Sequence, residues 1–151
     1  MKKVKIFTLF FMFFCGIVSA QSADKVTKMI EAETVTLGDV AYFAASYFDL
    51  IDDNAENSEA LIALEERVQY LKISNTEKLT YDDLAYFCTQ TWNIKGGIML
   101  MLTNSPRYAF RELQAKGYIS NSIYPNDAIN GVEALTIMTS CINYTEEKDV
   151  K

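Results

Sequence analysis

Apolar residues recur along the chain at helical spacing, and polar residues mark where each run starts and stops. Leu37, Val40, Ala41, Ala44 and Phe48 fall at i, i+3, i+4, i+7 and i+11, which is one continuous stripe on a helix. Forty-four residues later, Tyr81, Leu84, Ala85, Cys88 and Trp92 repeat the spacing. Ahead of each stripe a threonine and an aspartate stand three apart, Thr36 with Asp39 and Thr80 with Asp83. A threonine there accepts an unpaired first-turn amide and the acid at N3 answers the cap's own amide, so a helix is predicted to begin at each. Tyr42, Phe43 and Tyr47 make the far side of the first helix aromatic, which predicts burial on most sides.

A second helix is expected to start at Asn57 or Ser58 and run through Leu61, Leu64 and Val68 to about Leu71, with Glu59, Glu65, Glu66 and Arg67 turned to water. Its counterpart is opened by Ser105-Pro106 and closed by Gly117 after Lys116. Between them, Gly96-Gly97 is a break followed by an apolar turn or short helix over 98–102. Ile73-Ser74-Asn75 returns as Ile119-Ser120-Asn121, so the chain reads as two repeated helical hairpins, 36–75 and 80–121. Asn130-Gly131-Val132-Glu133 announces a final helix over 130–144, with Ala134, Leu135, Ile137, Met138, Cys141 and Ile142 available for packing. Residues 21–35 form an N-terminal extension or short helix, and the charged tail 145–151 is expected to fray. The β-branched residues never alternate over five positions, so the expected fold is all-α, one domain (36–144) of five to seven helices.

The first twenty residues change the count. They carry Lys2, Lys3 and Lys5, an apolar run from Ile6 to Val18, and Val18-Ser19-Ala20 as a small-x-small site before Gln21. This is the pattern of a bacterial export signal, 1–20, and it places the mature chain in the periplasm or cell envelope. Loss of the three lysines moves the formal charge from −6 to −9, which argues against a nucleic-acid partner. No later stretch reaches the roughly 20 apolar residues of a membrane-spanning helix. Cleavage also removes Cys15 and leaves Cys88 and Cys141, which an oxidising compartment allows to form a disulfide. The alternative is two buried free cysteines acting as small hydrophobes on their helix faces.

The run LTYDDLAYF, the Gly-Gly break, SPRYAFRELQAKGYIS, a proline and the NGxEAL helix together resemble small exported envelope proteins of spirochaetes, over about residues 36–143. The paired helical units are loosely similar to S-layer-homology modules, without the Thr-Arg-Ala-Glu signature. The resemblance implies an envelope location and a structural or interaction role.

The chain has no histidine, which removes the Ser-His-Asp and Cys-His systems and every His-ligated metal. With no phosphate loop and no CxxC, a non-enzymatic module that needs no cofactor is the expected reading, bound to another envelope protein or to itself. Asp52, Asp53 and Glu56 read as a solvated loop, since no glycine or twelfth-position acid completes a calcium loop. Met99, Met101 and Met138 read as core filler. Tyr108, Tyr118, Tyr124 and Tyr144 lie off the clearest stripe, where a ring suits a protein contact. The alternative function is an anionic-glycan or small-ligand site at Lys95, Gly96, Gly97, Arg107 and Arg111. There the glycine amides would receive a carboxylate or phosphate, and the arginines would hold it unless they pair with nearby acids such as Glu112 or Asp82.

Overall fold

The structure, a computed structural model, describes residues 18–68 and 77–149. Among them are seven helices: α1 (Val18–Glu31), α2 (Leu37–Tyr47), α3 (Asn57–Ala63), α4 (Tyr81–Thr91), α5 (Ile98–Thr103), α6 (Pro106–Ala115) and α7 (Gly131–Asp149). The fold is all-α, and none of these helices is long and apolar enough to cross a membrane.

Helices α2, α4 and α7 start from one backbone ring. The Val35 amide donates to the Ile129 carbonyl (3.0 Å), Ile129 to Leu79 (3.2 Å) and Leu79 back to Val35 (2.9 Å). Three segments far apart in sequence thereby satisfy one another's polar groups where all three side chains are fully buried. Each segment then enters its helix through a cap. Thr36 Oγ1 accepts the Asp39 amide (3.4 Å) while the Asp39 carboxylate accepts the Thr36 amide (2.9 Å). Asn130 Oδ1 accepts the Glu133 amide (2.9 Å), and its Nδ2 donates to the Glu133 carboxylate (2.7 Å). Thr80 departs from this pattern, because its hydroxyl donates to the carboxylates of Asp82 and Asp83 and caps no amide.

The core follows from this shared start. Counting from each cap, the fourth residues are Val40, Leu84 and Ala134 and the eighth are Ala44, Cys88 and Met138, and all six are fully buried. Both predicted stripes therefore face inward, at roughly 1.5–3 kcal/mol for each large aliphatic side chain buried. The far ends meet at an aromatic cluster. Phe48 and Trp92, at matching positions after α2 and α4, have ring centroids 6.2 Å apart, and Phe87 meets Trp92 at 6.3 Å. After each ring the chain turns back through one left-handed residue, Asp49 (φ 54°) or Asn93 (φ 47°).

Each inner helix carries an outer one: α3 packs on α2, α6 on α4, and α1 on α7. The last pair joins helices from opposite ends of the described chain. It is held by Gly131, whose amide donates to the Ala32 carbonyl at 3.0 Å.

Two expectations are corrected. The helix projected from Asn57 to Leu71 ends at Ala63, where the chain tightens and the Leu64 carbonyl accepts the amides of both Arg67 (2.8 Å) and Val68 (2.9 Å). Arg67 then lies 4.1 Å over the Phe48 ring, a cation–π contact. Leu71, the Ile73-Ser74-Asn75 motif and residues 1–17 of the expected export signal lie outside the described residues. Residues 145–149 of the tail, expected to fray, instead continue α7 to Asp149. Tyr47 donates to Glu146 (3.0 Å), and Tyr144 lies between Lys116 and Lys148 at 4.7 and 4.3 Å.

Candidate interaction site

The site begins at the glycine break. A Cβ on Gly96 would stand 2.6 Å from Leu100 Cδ2, so a side chain there would make Leu100 move. Gly97 then starts α5, and its amide donates to Glu112 Oε2 at 2.9 Å. The other oxygen of Glu112 pairs with Lys116 at 3.0 Å, one turn along α6. Burial alone would raise the Glu112 pKa, but the Gly97 amide and Lys116 outweigh it and hold the carboxyl below its ordinary value. Lys116 is likewise held above its ordinary value, burial being outweighed by Glu112 and Tyr144. The carboxylate received by the glycine break is thus the protein's own.

Helix α5 ends at Asn104, a left-handed residue (φ 43°) whose side-chain oxygen accepts Gln90 Nε2 at 2.7 Å. Of the apolar residues between these anchors only Leu100 turns inward. Ile98, Met99, Met101 and Leu102 are 74%, 48%, 77% and 76% exposed. Reading Met99 and Met101 as core filler is therefore corrected, while Met138 is fully buried as expected. A short helix packed chiefly on α6 has one inward face, and the remaining apolar side chains are left outside.

Beside α5 is a cavity of about 250 Å³ lined by Ile98, Met99, Tyr108, Arg111 and Glu112. Arg107 and Lys95 are also exposed but do not line it. Among the described residues neither arginine has an ion-pair partner, since Glu112 is taken by Lys116. Gly97 and Arg111 are therefore brought together, with Glu112 between them.

The other candidates lie elsewhere. Tyr108, Tyr118 and Tyr144 are partly buried against the core, and Tyr124 is 73% exposed. The Asp52–Glu56 loop is pinned by Tyr42, whose hydroxyl donates to the Asp53 carbonyl at 2.8 Å, and by Lys25, which donates to the Ala55 carbonyl. It lines an open cleft of about 590 Å³, and among the described residues no three His, Cys, Asp or Glu side chains are grouped to hold a metal. Cys88 and Cys141 are both buried free thiols that face each other between α4 and α7. Comparison of the chain with protein-family models, with curated proteins and with solved structures finds no match.

Proposed function

We propose that the chain is an exported, non-catalytic envelope module that binds another envelope protein, or a second copy of itself, through α5. One observation carries this reading: four large apolar side chains, Ile98, Met99, Met101 and Leu102, stand in water on six residues of helix. Contiguous apolar surface of this kind marks interaction sites, and methionine adapts to a partner's shape at low cost. Arg111 beside it supplies the charged group that interfaces favour at an apolar edge. The export signal and the resemblance to envelope proteins support the compartment.

The test is recovery of a partner. The full chain, expressed with an affinity tag in its own cell, should retain a stoichiometric protein from envelope extracts, or should dimerise by light scattering. Met101→Lys with Leu102→Lys should abolish either result while leaving the melting temperature within about 2 °C, as expected for exposed positions. Retention unchanged by this double variant would remove α5 as the interface. Export itself is tested by intact mass, with a chain starting at Gln21 expected.

A second reading, an anionic ligand or glycan held at Arg107 and Arg111, is supported by Arg111 at the cavity, which has no ion-pair partner among the described residues. The commitment of the Gly97 amide to Glu112 weakens it, since that amide already holds the protein's own carboxylate. Arg107→Gln with Arg111→Gln separates the two. Loss of binding to an anionic glycan with protein recovery intact would favour the second reading.

A further inference from the structure

We propose that Cys88 and Cys141 close one intramolecular disulfide that ties α4 to α7, made while the chain folds and sealed in the core afterwards. The pairing follows from the register of the two helices. They run in the same direction, and contacts at both ends fix their alignment. The Tyr81 hydroxyl donates to Glu133 at the start and Thr145 Oγ1 donates to the Trp92 carbonyl (3.5 Å) at the end, with buried Cys88 and Cys141 side by side between them. The partners are 52, 53 and 53 residues apart. A slip of one residue, about 1.5 Å along the axis, would break the flanking contacts together with the thiol pair. Both sulfurs are fully buried, and the α7 face around Cys141 presents Ala134, Ile137 and Met138, none of which competes for a thiol.

The chemistry needs a disulfide oxidant, either a protein disulfide or oxidised glutathione. The thiolate of one cysteine attacks it, forming a mixed disulfide and releasing one thiol. The thiolate of the second cysteine displaces the other half, so the oxidant leaves as two thiols carrying the two protons and two electrons taken from the cysteines. In the folded protein this exchange is closed off. The sulfurs are out of reach of solvent, and burial, with Cys141 beside it, pushes the Cys88 thiol well above its ordinary range, leaving almost no Cys88 thiolate. The bond must therefore form before α7 docks. Its presence in the cell rests on the export reading, because an exported chain meets the oxidant.

The experiment has two arms. The full chain is reduced in urea, refolded in a mixture of reduced and oxidised glutathione, and digested with trypsin without reduction. Linked peptides 79–95 and 117–148 are expected. The cross-linked protein should melt about 10 °C above the reduced form. Cys88→Ala, which places at this position the residue that α2 carries at Ala44, should fold and lose that increment. Two free thiols after refolding, linkage of either cysteine to Cys15, or an increment that survives in Cys88→Ala would each overturn the proposal. In the second arm, cells are quenched in acid and the protein is alkylated in denaturant, where both thiols can be reached. Linked peptides from that protein support the bond in the cell. Alkylated Cys88 and Cys141 beside a successful first arm would remove the export reading and keep the geometric one.

Discussion

Gly131 lies against the main chain of Met29 so closely that a Cβ built on it would stand 1.6 Å from the Met29 carbonyl oxygen. No side-chain motion relieves such an overlap, because the atoms met are backbone: the Met29 carbonyl and Ile30 Cα. The absence of one methyl group therefore sets how closely α1 approaches the start of α7. Gly131→Ala should cost at least about 3 kcal/mol or displace α1 from α7. Gly97→Ala is the control: its Cβ would meet only Glu112 Oε2, at 3.7 Å, and the change should stay within about 0.5 kcal/mol. Urea melts of both variants check the contrast, and equal costs would remove the close approach as its cause.

The two threonine caps should respond differently to the same substitution. Thr36→Ala removes a hydroxyl that accepts the Asp39 amide and should cost about 1 kcal/mol. Thr80→Ala removes instead a donor to Asp83, whose pKa burial raises and the Thr80 hydrogen bond partly restores. Without that hydroxyl the Asp83 pKa rises further, so the folded state is penalised where Asp83 is ionised. The cost of Thr80→Ala should therefore be present at neutral pH and shrink as pH falls through the Asp83 pKa. Urea midpoints from pH 4 to 7 measure this. A Thr80→Ala cost independent of pH would count against the carboxylate contact.

The pair of Glu112 and Lys116 gives stability a defined pH window. The folded pKa of Glu112 is lowered, so its contribution is present above the unfolded carboxyl pKa and is lost as pH falls through the folded one. The folded pKa of Lys116 is raised, so its contribution is present below the unfolded amine pKa and is lost as pH rises past the folded one. Glu112→Gln should destabilise by about 1 kcal/mol near neutrality and flatten the acid limb of stability against pH. Titration of the urea midpoint in wild type and variant tests this, with parallel curves as the contrary result.

A third glycine separates stiffness from contact. Gly117 follows α6 with φ +78°, and a Cβ added there would have nothing within 4 Å, so only backbone conformation opposes a side chain. Gly117→Ala should cost about 1 kcal/mol and Gly117→Asn clearly less, because asparagine tolerates the left-handed region. Equal costs for the two, measured by urea melts, would point to a contact after all.

What the sequence made legible was what local spacing encodes. The stripes Leu37–Phe48 and Tyr81–Trp92, the starts at Thr36, Thr80 and Asn130, and the limits of α6 at Ser105 and Gly117 all appear in the structure. The ring of Val35, Leu79 and Ile129 was not legible, because it is made by backbone groups that no residue type announces. The start at Asn130 was legible for the same reason as that at Thr36, since asparagine and glutamate do the same capping with different letters. The exposure of α5 was illegible for another reason. A run such as Ile98-Met99-Leu100-Met101-Leu102 looks the same whether one or all of its side chains turn inward, and only the position of α6 decides.

The ring of three amides has a consequence for the order in which the chain is made. A chain threaded from its N-terminus presents Val35 and Leu79 first, and these two share a single hydrogen bond until Ile129 arrives to supply the other two. Up to that moment the inner layer lacks Ile129, Ala134 and Met138, a third of its members, and stays open to water. Completion of the inner layer is thereby deferred to the last stretch of the polypeptide.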